Sequence, residues 1–113
     1  MFKRIVFLML FILGMTSQTY AGEDVQGRKI IDIGCHRDIG TCYVTLDGSA
    51  FGSSLKCLHG ATNQFRFDDS DSVNGRRAYA SLLAAFLQGK TVDVFLDGCS
   101  VQGAPLMQYF HIK

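Results

Sequence analysis

The chain lacks several things that would define a function at once. No two of its cysteines have C-x-x-C spacing, and no basic run exceeds the doublet Arg76-Arg77. No apolar run reaches the about 20 residues that cross a bilayer as a helix. The sequence contains no G-x-S-x-G, no H-E-x-x-H and no Gly-rich phosphate loop. The missing cysteine spacing argues against a zinc site. The missing basic run removes the electrostatic footprint of a nucleic-acid binder. The missing catalytic spacings argue against a hydrolase, which needs a nucleophile, a base and an oxyanion donor. There is no internal repeat and no low-complexity tract. At 113 residues there is room for one domain.

What is present begins with an address. In residues 1–21, Lys3 and Arg4 precede an apolar run of eleven, 5–15, counting Gly14. A polar stretch follows, with Thr19 and Ala21 in the small-residue positions before a cut. This is the three-part pattern of a secretory signal peptide, so the chain is expected to be exported, to the periplasm or beyond. The run is too short for a membrane anchor, and Gly22 after the cut excludes a lipoprotein. Removing 21 of the 113 residues leaves 92. Two basic residues leave with the leader, so nine face ten acidic ones, a net charge of −1. No nucleic-acid partner is expected of such a domain, nor a stable membrane span after cleavage.

All four cysteines, Cys35, Cys42, Cys57 and Cys99, lie in residues 22–113. An even count in a small exported chain implies two disulfides. Cys35 and Cys42 flank His-Arg-Asp-Ile-Gly-Thr, which reads as a hairpin loop that sets the sulfurs opposite each other. Cys57 and Cys99 would then pair across the fold. Pairing of Cys42 with Cys57 and of Cys35 with Cys99 is the alternative. Cys35 beside His36, and Cys57 near His59, are the combinations a metal could use, but no metal and no cofactor is expected in an oxidising compartment without the right spacing.

The hydropathy pattern gives five strands and one helix. Residues 29–36 alternate weakly, with Ile31, Ile33 and Cys35 on the inward face. Residues 41–47 alternate better, with Cys42, Val44 and Leu46 inward and Tyr43 and Thr45 outward. A flexible loop, 48–54, precedes a third strand over 55–59 and 64–67, broken by a bulge. Asp68, Asp69 and Asp71 lack the loop pattern of a calcium hand and read as a turn leading into a helix. Ser72 or Asn74 is the candidate cap. Tyr79, Leu82, Leu83, Phe86 and Leu87 then form one apolar stripe, stopped by Gly89. Residues 91–96 form a strand with Val92, Val94 and Leu96 inward. Asp97-Gly98 reads as a turn. In the last strand, 106–112, Leu106, Gln108, Phe110 and Ile112 share one face, and Met107, Tyr109 and His111 the other.

The order is β-β-β-α-β-β. Five short strands bury themselves best by curling into a partly closed barrel, with the helix between strands three and four plugging one end. That is a mainly β, OB-like arrangement with two disulfides.

The stretch 57–112 resembles a group of small exported bacterial proteins. The matching elements are Cys57, Phe65-Arg66-Phe67-Asp68, Tyr79-Ala80-Ser81-Leu82-Leu83-Ala84-Ala85, Gly89-Lys90-Thr91-Val92, Gly98-Cys99 and Phe110-His111-Ile112. The second strand, Cys42-Tyr43-Val44-Thr45-Leu46-Asp47-Gly48, fits as well. The group's layout in turn resembles the B subunits of AB5 toxins of the subtilase cytotoxin kind. The resemblance covers about half to two-thirds of the chain by these elements. It implies an OB-like fold and a disulfide between Cys57 and Cys99. Toxin B subunits bind host glycans through surface residues, and no match to those residues is found here.

The expected function is therefore non-enzymatic binding of a glycan or an envelope protein, with a homo-oligomer as an option. The alternative is a small periplasmic structural or inhibitory protein acting on an envelope partner. The candidate ligand contacts are the outward aromatics Tyr43, Phe95 and Tyr109, with Arg37 in the first loop. Aromatics on an outer barrel face stack on sugars, form subunit contacts, or simply cover an edge.

Overall fold

The structure is a computed structural model that describes residues 22–113. The leader, 1–21, lies outside the described residues. Five strands and one helix follow in order: β1 (Glu23–His36), β2 (Thr41–Leu46), β3 (Gln64–Phe67), α1 (Val73–Gln88), β4 (Thr91–Cys99) and β5 (Pro105–Ile112). The strands curl into a ring in the order β1-β2-β3-β5-β4, and β4 returns to β1. Four of the strand pairs are antiparallel. β3 and β5 run parallel and meet, among the described residues, at the single pair Arg66 and Leu106. The ring is thus partly closed, with the strand and helix order of an OB fold. No helix among the described residues is long and apolar enough to cross a membrane.

Strict alternation places the core. Cys42, Val44 and Leu46 from β2 and Phe65 and Phe67 from β3 are buried. Val92, Val94 and Leu96 of β4 meet them from the opposite wall. Burial of Phe65, Leu46 and Leu96, all essentially inaccessible, contributes about 2–3 kcal/mol each before entropy is counted. The helix adds Leu82 and Ala85, with Ala78, Tyr79 and Phe86 packed around them. Ser72 caps it by accepting from the Gly75 N–H at 3.0 Å, while Asn74 lies inside the first turn. Gly89 ends it in the left-handed region at φ 65°, donating to Ala85 and Phe86 carbonyls. Leu87 is not part of the buried stripe: it is 73% exposed, because the contact face lies one residue back, through Leu82, Ala85 and Phe86.

Three other expectations are corrected, each by a bulge. In β1 the register shifts between Ile30 and Asp32. The extra residue is Ile31, which is exposed, while Ile30 and Ile33 both turn to the core. Cys35 is also exposed, near the end of β1, although its partner Cys42 is buried. In β5 the partners of Phe95 and Leu96 are Tyr109 and Met107, so Gln108 is extra. The faces exchange there, and Met107 and Phe110 both pack on the core. Asp97-Gly98 is not a turn but a bulge within β4, with Gly98 at φ 75°.

Residues 55–59 form no strand. A short 3-10 turn, Ser53–Leu55, stands there, flanked by Gly52 and Lys56 in the left-handed region. Leu58 points into solvent. Phe51 supplies the apolar contact instead, held by paired backbone bonds to Thr62 of 2.8 and 2.9 Å. The loop is pinned by the disulfide from Cys57 to Cys99, which spans 42 residues with Cα atoms 5.6 Å apart. The other disulfide joins Cys35 to Cys42, directly opposed on β1 and β2.

Three loops converge at one end of the ring. The fully buried Thr41 hydroxyl donates to Asp68 Oδ1 at 3.0 Å, and the Val101 N–H donates to Asp68 Oδ2 at 3.0 Å. Ser70 donates through its N–H and its hydroxyl to the Gly40 carbonyl. Asp68 therefore ties together the β1–β2 turn, the approach to α1 and the β4–β5 loop. Asp69 accepts from the Ser72 hydroxyl at the helix start.

Candidate functional site

The three outward aromatics and Arg37 of the first loop do not form one site. The ring separates them into two clusters on different walls, with Arg37 apart from both. Arg37 is exposed in the turn after β1, and among the described residues it makes no hydrogen bond or ion pair.

The first cluster stands on β4 and β5. Phe95 and Tyr109 are cross-strand partners whose rings stack with centroids 5.0 Å apart and planes at 17°. Tyr109 is 53% exposed. His111 leans on Tyr109 at 5.9 Å. The Gly22 backbone lies against Phe95 so closely that a Cβ there would collide with the ring. Beside the rings is a depression of about 170 Å³, rimmed by Asp24, Gln26, Asp93 and His111. Asp93 is committed: it accepts from Lys113 Nζ at 2.6 Å and from the Gly27 N–H at 2.8 Å. The Lys113 side chain first, and then the Gly27 N–H, hold its carboxyl below the ordinary aspartate range. Asp24 and Gln26 are exposed, and no side-chain partner occupies them among the described residues. Their positions follow from β1 crossing to pair with β4: Asp24 lies opposite Phe95. Phe95 and Tyr109 were each legible as outward aromatics, but neither their pairing nor this acidic and amide rim was, the rim because β1 starts six residues earlier than its hydropathy indicates.

Neighbouring Glu23 anchors the same strand end to the loop after β2. Its carboxylate accepts from the Gly52 N–H at 2.7 Å and from the Ser54 N–H at 3.0 Å. Partial burial pushes this carboxyl up, but the Ser54 hydroxyl and these two N–H groups outweigh it and leave it below its ordinary value.

The second cluster stands on β2 and β3. Tyr43 faces Arg66 across the strand pair, and the Arg66 guanidinium lies over the ring, 5.6 Å from its centroid. The His36 ring tilts against Tyr43 with centroids 5.7 Å apart. Gln64 Oε1 accepts from Arg66 Nε at 3.1 Å and from Nη2 at 2.7 Å, and Gln64 Nε2 donates to Thr45 Oγ1 at 3.1 Å. Arg66 and Gln64 were not singled out in the sequence. The signal was there: Gln-Phe-Arg-Phe alternates, and the polar members face out.

A further depression of about 300 Å³ separates α1 from β5, between Arg77 and Ser81 on one side and Met107 and Phe110 on the other. It is also lined by Tyr109, Asp69, Asn74 and Gln108, so the Tyr109 ring borders both this depression and the smaller one beside β1. Among the described residues no three His, Cys, Asp or Glu side chains group as a metal site, and all four cysteines are paired with one another.

No protein-family model matches the chain, and no curated protein matches it.

Proposed function

We propose that the chain is an exported, non-enzymatic binding module that holds a saccharide against the Tyr109 ring. One observation carries this reading. The Tyr109 ring is half exposed, stacked flat on Phe95, and bordered by the unengaged polar side chains Asp24 and Gln26. A sugar ring presents an apolar C–H face and a rim of hydroxyls. The C–H face is matched by a flat aromatic surface that is already rigid, so little side-chain entropy is lost on binding. The hydroxyls are matched by carboxylate and amide groups at its edge. Export follows from the leader pattern of residues 1–21, and the two disulfides suit an oxidising compartment, periplasmic or extracellular. The resemblance to AB5 toxin B subunits supports the barrel as a scaffold for such a ligand, without matching their glycan-contacting residues.

A glycan array probed with residues 22–113, with light scattering to count subunits, tests the reading. Tyr109→Ala should weaken glycan binding by about tenfold, the worth of one good aromatic contact. Its thermal midpoint should stay near that of the parent, because the ring is half exposed. Absence of glycan binding by the parent, or equal binding by Tyr109→Ala, would overturn it.

A further inference from the structure

We infer that the β2–β3 wall carries a separate binding site for a carboxylate group, built on Arg66. The site does not depend on the saccharide reading, since it lies on different strands and shares no residue with the Tyr109 platform.

Arg66 is unusual among the cations here. It is only half-buried, yet its guanidinium is fixed on one face and along one edge. Tyr43 lies beneath it, Gln64 Oε1 takes Nε–H and one Nη2–H, and Gln64 is itself held by Thr45. Among the described residues no carboxylate stands within ion-pair distance of it. By comparison, Lys113 is paired with Asp93, and Arg28 spends its donors on Asp47 and Ser49 carbonyls. The Gln64 contacts use one edge of the Arg66 fork. They leave the far edge, where an Nη1–H and the second Nη2–H point the same way. That edge matches the two oxygens of a carboxylate in bidentate fashion.

Space for the ligand is present. A depression of about 240 Å³ adjoins Arg66, lined also by Gln64, Thr62, His59 and Ala104. His59 and the Thr62 hydroxyl offer further polar contacts, and the loop carrying His59 is fixed by its N–H bond to the Gly103 carbonyl, 3.0 Å. A single fork with no second cation suits a singly charged planar anion better than a phosphate, which gathers several cationic donors. Because Arg66 is oriented before the ligand arrives, the entropy of ordering it is already spent.

The test is a titration of residues 22–113, followed by backbone and Arg Nε NMR shifts. The probes are methyl glucuronide and N-acetylglycine, with their neutral counterparts methyl glucoside and N-acetylglycinamide, and inorganic phosphate. Carboxylate probes should shift Arg66 Nε and the amides of residues 64–66, and bind about tenfold more tightly than their neutral counterparts. Whichever carboxylate binds tighter identifies a sugar acid or a peptide terminus as the source. Arg66→Gln should abolish these shifts. Arg66→Lys keeps the charge and loses the fork, and should weaken binding by about threefold to tenfold. Gln64→Met releases the fork without removing it, and should weaken binding by about threefold while the fold is retained. Tyr109→Ala should leave carboxylate binding unchanged, which separates this site from the saccharide platform. Equal affinity for charged and neutral probes, shifts away from Arg66, or tighter binding of phosphate than of either carboxylate would overturn the inference.

Discussion

The Tyr43 ring lies across the backbone of its cross-strand partner Gly34, with its hydroxyl in the space a Cβ on Gly34 would occupy. The ring can lie flat over β1 only because that position has no side chain. Tyr43 in turn supports the Arg66 guanidinium. Gly34→Ala should therefore push the end of a movable side chain aside rather than break the core. Carboxylate affinity is expected to fall by about threefold or more, with a stability loss of no more than about 1 kcal/mol. NMR titration and urea unfolding of the same sample check both halves.

Asp68 holds three loops by two hydrogen bonds, one from the buried Thr41 hydroxyl and one from the N–H of the exposed Val101. Asp68→Ala leaves the buried Thr41 hydroxyl and the Val101 N–H without their acceptor. The expected loss is about 1–3 kcal/mol, carried mainly by the buried Thr41 hydroxyl and read from the urea midpoint. Thr41→Val, which removes the buried donor together with its need for a partner, should cost less.

Acid should destabilise the domain through Glu23 and Asp93. Both carboxyls are held below their ordinary values in the folded chain. Their contribution is complete above the unfolded carboxylate range of about 4, and is lost as pH falls through the lower folded values. Urea midpoints from pH 7 to pH 2 should therefore drop below about pH 4. Glu23→Gln should flatten part of that drop. An unchanged pH profile in this variant would remove Glu23 from the account.

The two disulfides should differ in weight. In the chain-entropy picture, closing the 42-residue separation between Cys57 and Cys99 contributes about 4 kcal/mol, and the 7-residue separation between Cys35 and Cys42 about 2.4 kcal/mol. Double serine variants compared by thermal unfolding should show the larger loss for Cys57→Ser with Cys99→Ser.

Gly75 in the first turn of α1 faces the Asp69 carbonyl at a distance that admits no Cβ. Here the obstacle is backbone, which cannot swing away. Gly75→Ala should cost about 2–3 kcal/mol despite the better helix propensity of alanine, and circular dichroism with urea would record it.

Much of this architecture was legible wherever one physical signal acted alone. β2 and the first half of β4 alternate without interruption, and α1 carries both its cap, Ser72, and its stop, Gly89. The disulfide pairing of Cys35 with Cys42 followed from a hairpin. The misreadings lie where one extra residue changes parity. Ile31 and Gln108 are individually ordinary, and nothing at either position announces a bulge; the register of the opposing strand decides it. Leu87 satisfied the helical period, yet the barrel offers it no surface. For the outward residues, Phe95 and Tyr109 were visible as aromatics at alternating positions. Their meeting depended on the bulge at Gln108. Alternation in Gln-Phe-Arg-Phe shows Arg66 and Gln64 facing out together, but the Tyr43 ring across the strand pair and the absent acid were not legible from it.

β3 meets β5 at one residue pair, whereas the other walls are ladders of several. Fluctuation of the ring should thus begin at this seam, and the Leu106 amide should exchange with solvent faster than those of β2 or β4. Arg66 is the residue on the β3 side of that pair. An anion that recognises Arg66 in the shut ring but not in the parted one would act as a latch, and ligand occupancy would be readable as slowed deuterium uptake at a strand it never touches.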